Sequence, residues 1–105
     1  MIKMEDIEKF GQAIGREFSP ERVVLFGSHA YGTPGEDSDV DLLVVMDHDG
    51  QSVEQSVAMR MRLRPPFPVD LLVRSPGRVR ERLEMGDPFI REILDNGRVL
   101  YEAAH

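Results

Sequence analysis

The stretch from Val23 to Val45, VVLFGSHAYGTPGEDSDVDLLVV, constrains this chain more than any other. An apolar run stops at Gly27-Ser28, a polar loop follows, and Ser38-Asp39-Val40-Asp41 opens a second apolar run. Alternate residues of a strand face the same side. If residues 40–46 form a strand, Asp39 and Asp41 present two carboxylates side by side. Two such anions repel, and each favours protonation of its neighbour. A divalent cation relieves that conflict. Hard cations such as Mg²⁺ are held by one or two carboxylates together with substrate phosphates. Gly27 lets the backbone approach a ligand closely, and amides at a following helix N-terminus attract phosphate. The reading is a site for Mg²⁺ and a nucleoside triphosphate.

Length and composition bound the alternatives. A chain of 105 residues fits one domain, 1–105, with a single core. Cysteine is absent, which excludes disulfides, thiolate metal sites and cysteine nucleophiles. The start, MIKMEDIEKF, carries acids where a signal peptide needs an apolar stretch. No apolar run approaches the ~20 residues of a membrane span, so the expected location is cytoplasmic, away from membranes. The net charge of −6 argues against strong nucleic-acid binding, which relies on Lys and Arg neutralising phosphates. The basic residues, eleven Arg and two Lys, gather in 60–82 and leave room for a local basic face.

Along the chain, Ile7, Phe10, Ile14 and Phe18 recur at helical spacing, with acids in the first turn, predicting a helix over 4–18 that Ser19-Pro20 ends. Residues 22–26 read as a buried strand, 28–32 as one helical turn and 40–46 as a second strand. Ser52, with Gln55 three residues on, reads as a helix cap, and Val53, Val57 and Met61 as one face of that helix. Pro65-Pro66 stops it. Pro68 to Val73 is a third strand. Ser75-Pro76 and Asp87-Pro88 open two further helices, with Val79 and Leu83, then Phe89, Ile90, Ile93 and Leu94, as apolar residues. Asn96-Gly97 is expected to end the last helix with a left-handed residue. Residues 98–101 are a short strand or an extended tail. The fold class is α/β or α+β, a small mixed sheet flanked by helices, with strand order left open.

Asp70 is the lone acid in the third strand, PVDLLV, where a charge is costly unless paired or ligating. It is either an edge acid paired to an arginine such as Arg74, or a third carboxylate beside Asp39 and Asp41. In the second case, three carboxylates at one end of a small sheet hold Mg²⁺ and help activate an attacking hydroxyl. Each part alone has an ordinary explanation, since Asp pairs cap loops and Gly-Ser corners make turns. No G-x-x-x-x-G-K-[ST] loop is present, which argues against a P-loop kinase or ATPase.

Together the parts carry a resemblance. An apolar strand, Gly27-Ser28, ten residues, Asp39-x-Asp41 and a lone Asp on a later strand resemble the minimal nucleotidyltransferases of the DNA polymerase β-like superfamily. The spacing is similar to that of antitoxins paired with HEPN-domain ribonuclease toxins. The resemblance implies a mixed sheet flanked by helices, Mg²⁺ held by Asp39, Asp41 and Asp70, and a triphosphate, ATP being the expected one, contacted by Gly27 and Ser28. It implies AMP transfer to a tyrosine of a partner toxin. One position departs. Relatives often carry Arg just before the second glycine of the loop, and here Tyr31 precedes Gly32. His29 or an arginine from 60–64 would then have to substitute.

For Arg60, Arg62 and Arg64, a solvated helix edge is preferred to a phosphate contact. His29 reads as a solvated loop residue, and His48 and His105 are assigned no role. Arg78, Arg80 and Arg82 read as surface residues paired with Glu81 and Glu84. Tyr31 and Tyr101 are conceivable acceptors of a self-transferred nucleotide. The rival to an enzyme is an antitoxin that keeps the fold and neutralises its partner by binding alone. The short chain leaves acceptor recognition to a partner or to a second copy.

Overall fold

The computed structural model describes residues 2–35 and 37–104. His105 lies outside them. The elements follow the order α1 (Met4–Phe18), β1 (Arg22–Phe26), α2 (Ser28–Tyr31), β2 (Val40–Val45), α3 (Ser52–Leu63), β3 (Val69–Arg74), α4 (Pro76–Glu84), α5 (Pro88–Asn96) and β4 (Arg98–Glu102). The last segment is therefore a strand. The sheet order is β3-β2-β1-β4. β1 pairs antiparallel with β2 and with β4, whereas β2 and β3 run parallel. The sheet is mixed, as the sequence led us to expect. The parallel pair is joined through α3, the helical crossover that parallel neighbours require.

Alternation along the strands splits the core in two. Val23, Leu25, Val40, Leu42, Val44, Val69, Leu71 and Val73 face one side, where Ile7, Phe10 and Ile14 of α1 and Met59 of α3 cover them. Val24, Leu43 and Val45 face the other side against Val79 of α4 and Ile90 and Ile93 of α5. β2 is buried on both faces except at Asp41, which accounts for its nearly continuous apolar run. α1 ends where Ser19 adopts a left-handed conformation before Pro20.

Three local readings are refined or corrected. First, the face of Val53, Val57 and Met61 is exposed, and α3 turns Met59 inward. With α3 in that rotation, Arg62 reaches Glu17 of α1 at 3.0 Å and lays its guanidinium over the Phe18 ring. Second, Ser52 is not the cap. Gln51 holds the N-cap position without a side-chain hydrogen bond, and Ser52 Oγ accepts from Arg74 at 3.2 Å. Third, Gly97 is extended rather than left-handed (φ −71°, ψ 165°). It is needed for another reason: a Cβ there would stand 2.6 Å from Val24 Cγ1 and 2.8 Å from the Leu25 carbonyl. Ser75 caps α4 as read, and Asp87, where the helical pattern was read to restart, caps α5. Ser75 accepts from the Arg78 amide at 3.1 Å, and Asp87 from the Phe89 amide at 2.9 Å.

Candidate active site

Asp41 and Asp70 are register partners across the parallel β2–β3 pair. Parallel neighbours lie roughly 4.8 Å apart, and partners in register point to the same side. Asp39, two residues before Asp41, lines an open cavity of about 340 Å³ together with Asp70, Arg60, Pro65 and Phe67. The fold thus gathers all three carboxylates at the N-terminal ends of β2 and β3. Asp70 makes no ion pair with Arg74 or any other described residue.

The Gly-Ser corner sits against this group. Gly27 has φ 75° and ψ −161°, backbone that only glycine adopts readily. A Cβ at Gly27 would collide with Asp41 Oδ2. The antiparallel register explains the approach, because Phe26 faces Asp41 and the chain turns directly after it. Gly27 thereby brings Ser28, the first residue of α2, next to Asp41. Phe26 in turn packs edge-on against Phe89 of α5, with ring centroids 5.7 Å apart, which ties α5 to β1.

The electrostatics record the crowding. Desolvation, then the charges of Asp70 and Asp39, push the Asp41 carboxyl above the ordinary carboxylate range, while His29 pulls the other way. His29 is itself a correction: it is buried, and its Nε2 lies 3.1 Å from the Ser38 carbonyl. The ring ties α2 to the loop that delivers Asp39. A polar residue in a polar loop gives no local sign of burial, so sequence reasoning missed it. Tyr31 is exposed, and desolvation and the Glu92 carboxylate raise its hydroxyl pKa. Arg60 is exposed, in keeping with its reading as a helix-edge residue, and from that edge it lines the cavity shared by Asp39 and Asp70. Arg62 follows the surface reading. Arg78 pairs with Glu81, whereas Arg82 pairs with Asp87.

Among the described residues no three His, Cys, Asp or Glu side chains enclose a single cation position. The carboxylates form an open acidic surface rather than a closed cage. That surface suits Mg²⁺ in its commonest protein setting, where one or two carboxylates share the ion with substrate phosphates. The crowding that raises the Asp41 pKa is the conflict such a cation removes.

This geometry of paired strand carboxylates beside a Gly-Ser corner is found in a chain whose residues 7–101 match the nucleotidyltransferase domain family. The chain belongs to that family. A Methanocaldococcus jannaschii protein provisionally named a protein adenylyltransferase is 32% identical over 103 residues, covering 96% of this chain and 100% of that protein. A crystal structure from Sulfolobus solfataricus, provisionally assigned as a nucleotidyltransferase, has a similar fold, with a TM-score of 0.61. Its identity is 20%, and the match covers 93% of this chain and 78% of that one. No helix among the described residues is long and apolar enough to cross a membrane.

Proposed function

We propose that the chain is an Mg²⁺-dependent nucleotidyltransferase that moves AMP from ATP onto a hydroxyl of a partner protein. The register pairing of Asp41 with Asp70, beside Asp39 and Gly27, carries this reading. The protein-directed reaction is supported by the name of the archaeal relative. The acceptor oxygen attacks the α-phosphorus, an O–P bond forms, the bond to the β-phosphate oxygen breaks, and pyrophosphate leaves. The acceptor's proton passes to a carboxylate, with Asp70 in that role.

Asp39, Asp41 and Asp70 would hold Mg²⁺, which neutralises charge developing on the triphosphate. Gly27 and the amide of Ser28 position the phosphates. His29 steadies the loop that carries Asp39. Arg60, facing the same cavity, supplies the positive charge that Tyr31 does not, and so orients the triphosphate. The partner we propose is a HEPN-type ribonuclease toxin, on the strength of the Gly-Ser-x10-Asp-x-Asp spacing.

The test is transfer of label from α-³²P-ATP to a co-purified partner, with and without Mg²⁺. The parent should label the partner only with Mg²⁺, and Asp39→Asn with Asp41→Asn should not label it. Calorimetry provides a second readout. ATP binding that ignores both Mg²⁺ and the two substitutions favours the rival reading, a silent antitoxin, for which the Tyr31 departure speaks.

A further inference from the structure

The opposite end of the parallel pair carries a second polar cluster. β2 leads into α3 and β3 leads into α4, so both helices begin at the end of the sheet away from the carboxylates. Asp70 and Arg74 are four positions apart along β3, about 13 Å. Around Arg74, the side chains of His48, Ser52, Ser75 and Arg78 line an open cavity of about 420 Å³. A second cavity, of about 240 Å³, shares Arg74 and Arg78 and extends to Phe89 and to Arg82 with Asp87, the carboxylate that Arg82 pairs with.

The charge balance there is unusual for a chain of net −6. Arg74 is half-buried, yet its guanidinium donates only to neutral acceptors, Ser52 Oγ at 3.2 Å and the Val73 carbonyl at 2.7 Å. Among the described residues no carboxylate lies within ion-pair distance of it. Cations withdrawn from water ordinarily have an anionic partner. His48 Nδ1 is buried with no hydrogen-bond partner. Arg78 has one carboxylate, Glu81, on its exposed side. Asp47 and Asp49 flank His48 in sequence but do not line the cavity. Guanidinium forks, a hydroxyl and an imidazole form a donor set matched to a tetrahedral oxyanion.

We propose that the cavity formed by His48, Ser52, Arg74 and Arg78 binds a phosphate-class oxyanion, at a site separate from the candidate active site. The proposal is independent of nucleotidyl transfer. The anion is either free phosphate or the phosphate of a nucleotide, and the same donors serve both. Arg74 closes the end of β3 and holds the start of α3 through Ser52, so the bound anion would brace both.

The test is a ¹H–¹⁵N titration of the full chain with inorganic phosphate and, separately, AMP, against sodium chloride of equal ionic strength. Saturable shifts at amides 48–54 and 74–79 are expected, weakened about tenfold or more in Arg74→Gln. Saturation by phosphate identifies the free anion. Saturation by AMP alone, retained in Asp41→Asn, identifies the nucleotide. Shifts confined to residues 27–32 and 39–41, or shifts that chloride reproduces, would overturn the proposal. So would unchanged affinity in Arg74→Gln. If that variant does not fold, His48→Ala replaces it, and undiminished binding by His48→Ala overturns the proposal in the same way.

Discussion

Asp41 of β2 and Asp70 of β3 stand opposite each other in parallel register, two acids on adjacent strands with no cation between them among the described side chains. The pair makes the native state work against itself at neutral pH. The Asp41 carboxyl is raised above its ordinary value of 3.8 by desolvation and by the neighbouring acids. A group raised in the folded state contributes stability that is complete below the unfolded pKa and is lost as pH rises through the folded one. The stability of the protein without metal should therefore fall as pH climbs above about 4 through this group's titration. Asp41→Asn removes the dependence. Its melting temperature should exceed the parent's at pH 7 and converge with it near pH 3, as calorimetry will show. Mg²⁺ should stabilise the parent and not the variant. Transfer activity should drop by at least about a hundredfold, since even outer-shell partners of a metal are commonly worth 10–100-fold.

Gly27 is the tightest point of the site. A methyl group there meets Asp41 Oδ2 and forces a side chain into a conformation reserved for glycine. Gly27→Ala should destabilise by about 1–3 kcal/mol in urea unfolding. It should also weaken ATP binding, because α2 must swing away from Asp41. Gly32→Ala is the control. It shares the positive φ, 77°, but no atom lies within 4 Å of its added Cβ, so it should strain the backbone and leave nucleotide affinity unchanged.

Asp87 caps α5 through the amides of Phe89 and Ile90 and accepts from Arg82 at 2.8 Å. The hydrogen bond from Arg82 holds its carboxyl below the ordinary value of 3.8. A lowered carboxylate contributes stability above the unfolded pKa and loses it as pH falls through the folded one. Asp87→Ala should destabilise the protein at pH 7, because it removes the side-chain cap of α5. The difference from the parent should shrink below about pH 4. Denaturant melts at pH 7 and pH 3 will measure both.

The two apolar stripes of α3 are separable by substitution. Met59 is fully buried, while Val57 is 49% exposed. Met59→Ala should destabilise by about 2–5 kcal/mol. Val57→Ser should remain within about 0.5 kcal/mol of the parent. A large effect at Val57 would show that its face is covered in solution.

The sequence alone determined the elements, their order and the identity of the acids, because these depend on local chemistry. Apolar period, proline stops and Asp-Pro or Ser-Pro caps act within a few residues and leave a readable pattern. The order of the strands, the rotation of α3, the burial of His29 and the direction Arg60 faces were decided by tertiary packing. Each depends on residues distant in the chain. Met59 faces inward because it packs in the core formed by α1 and the sheet, and Asp70 joins Asp41 because β3 lies parallel to β2 in that one register. Gly97 shows the same division: its type was legible in the sequence, but the reason for it, contact with Val24 and Leu25, exists only once the helix packs on β1.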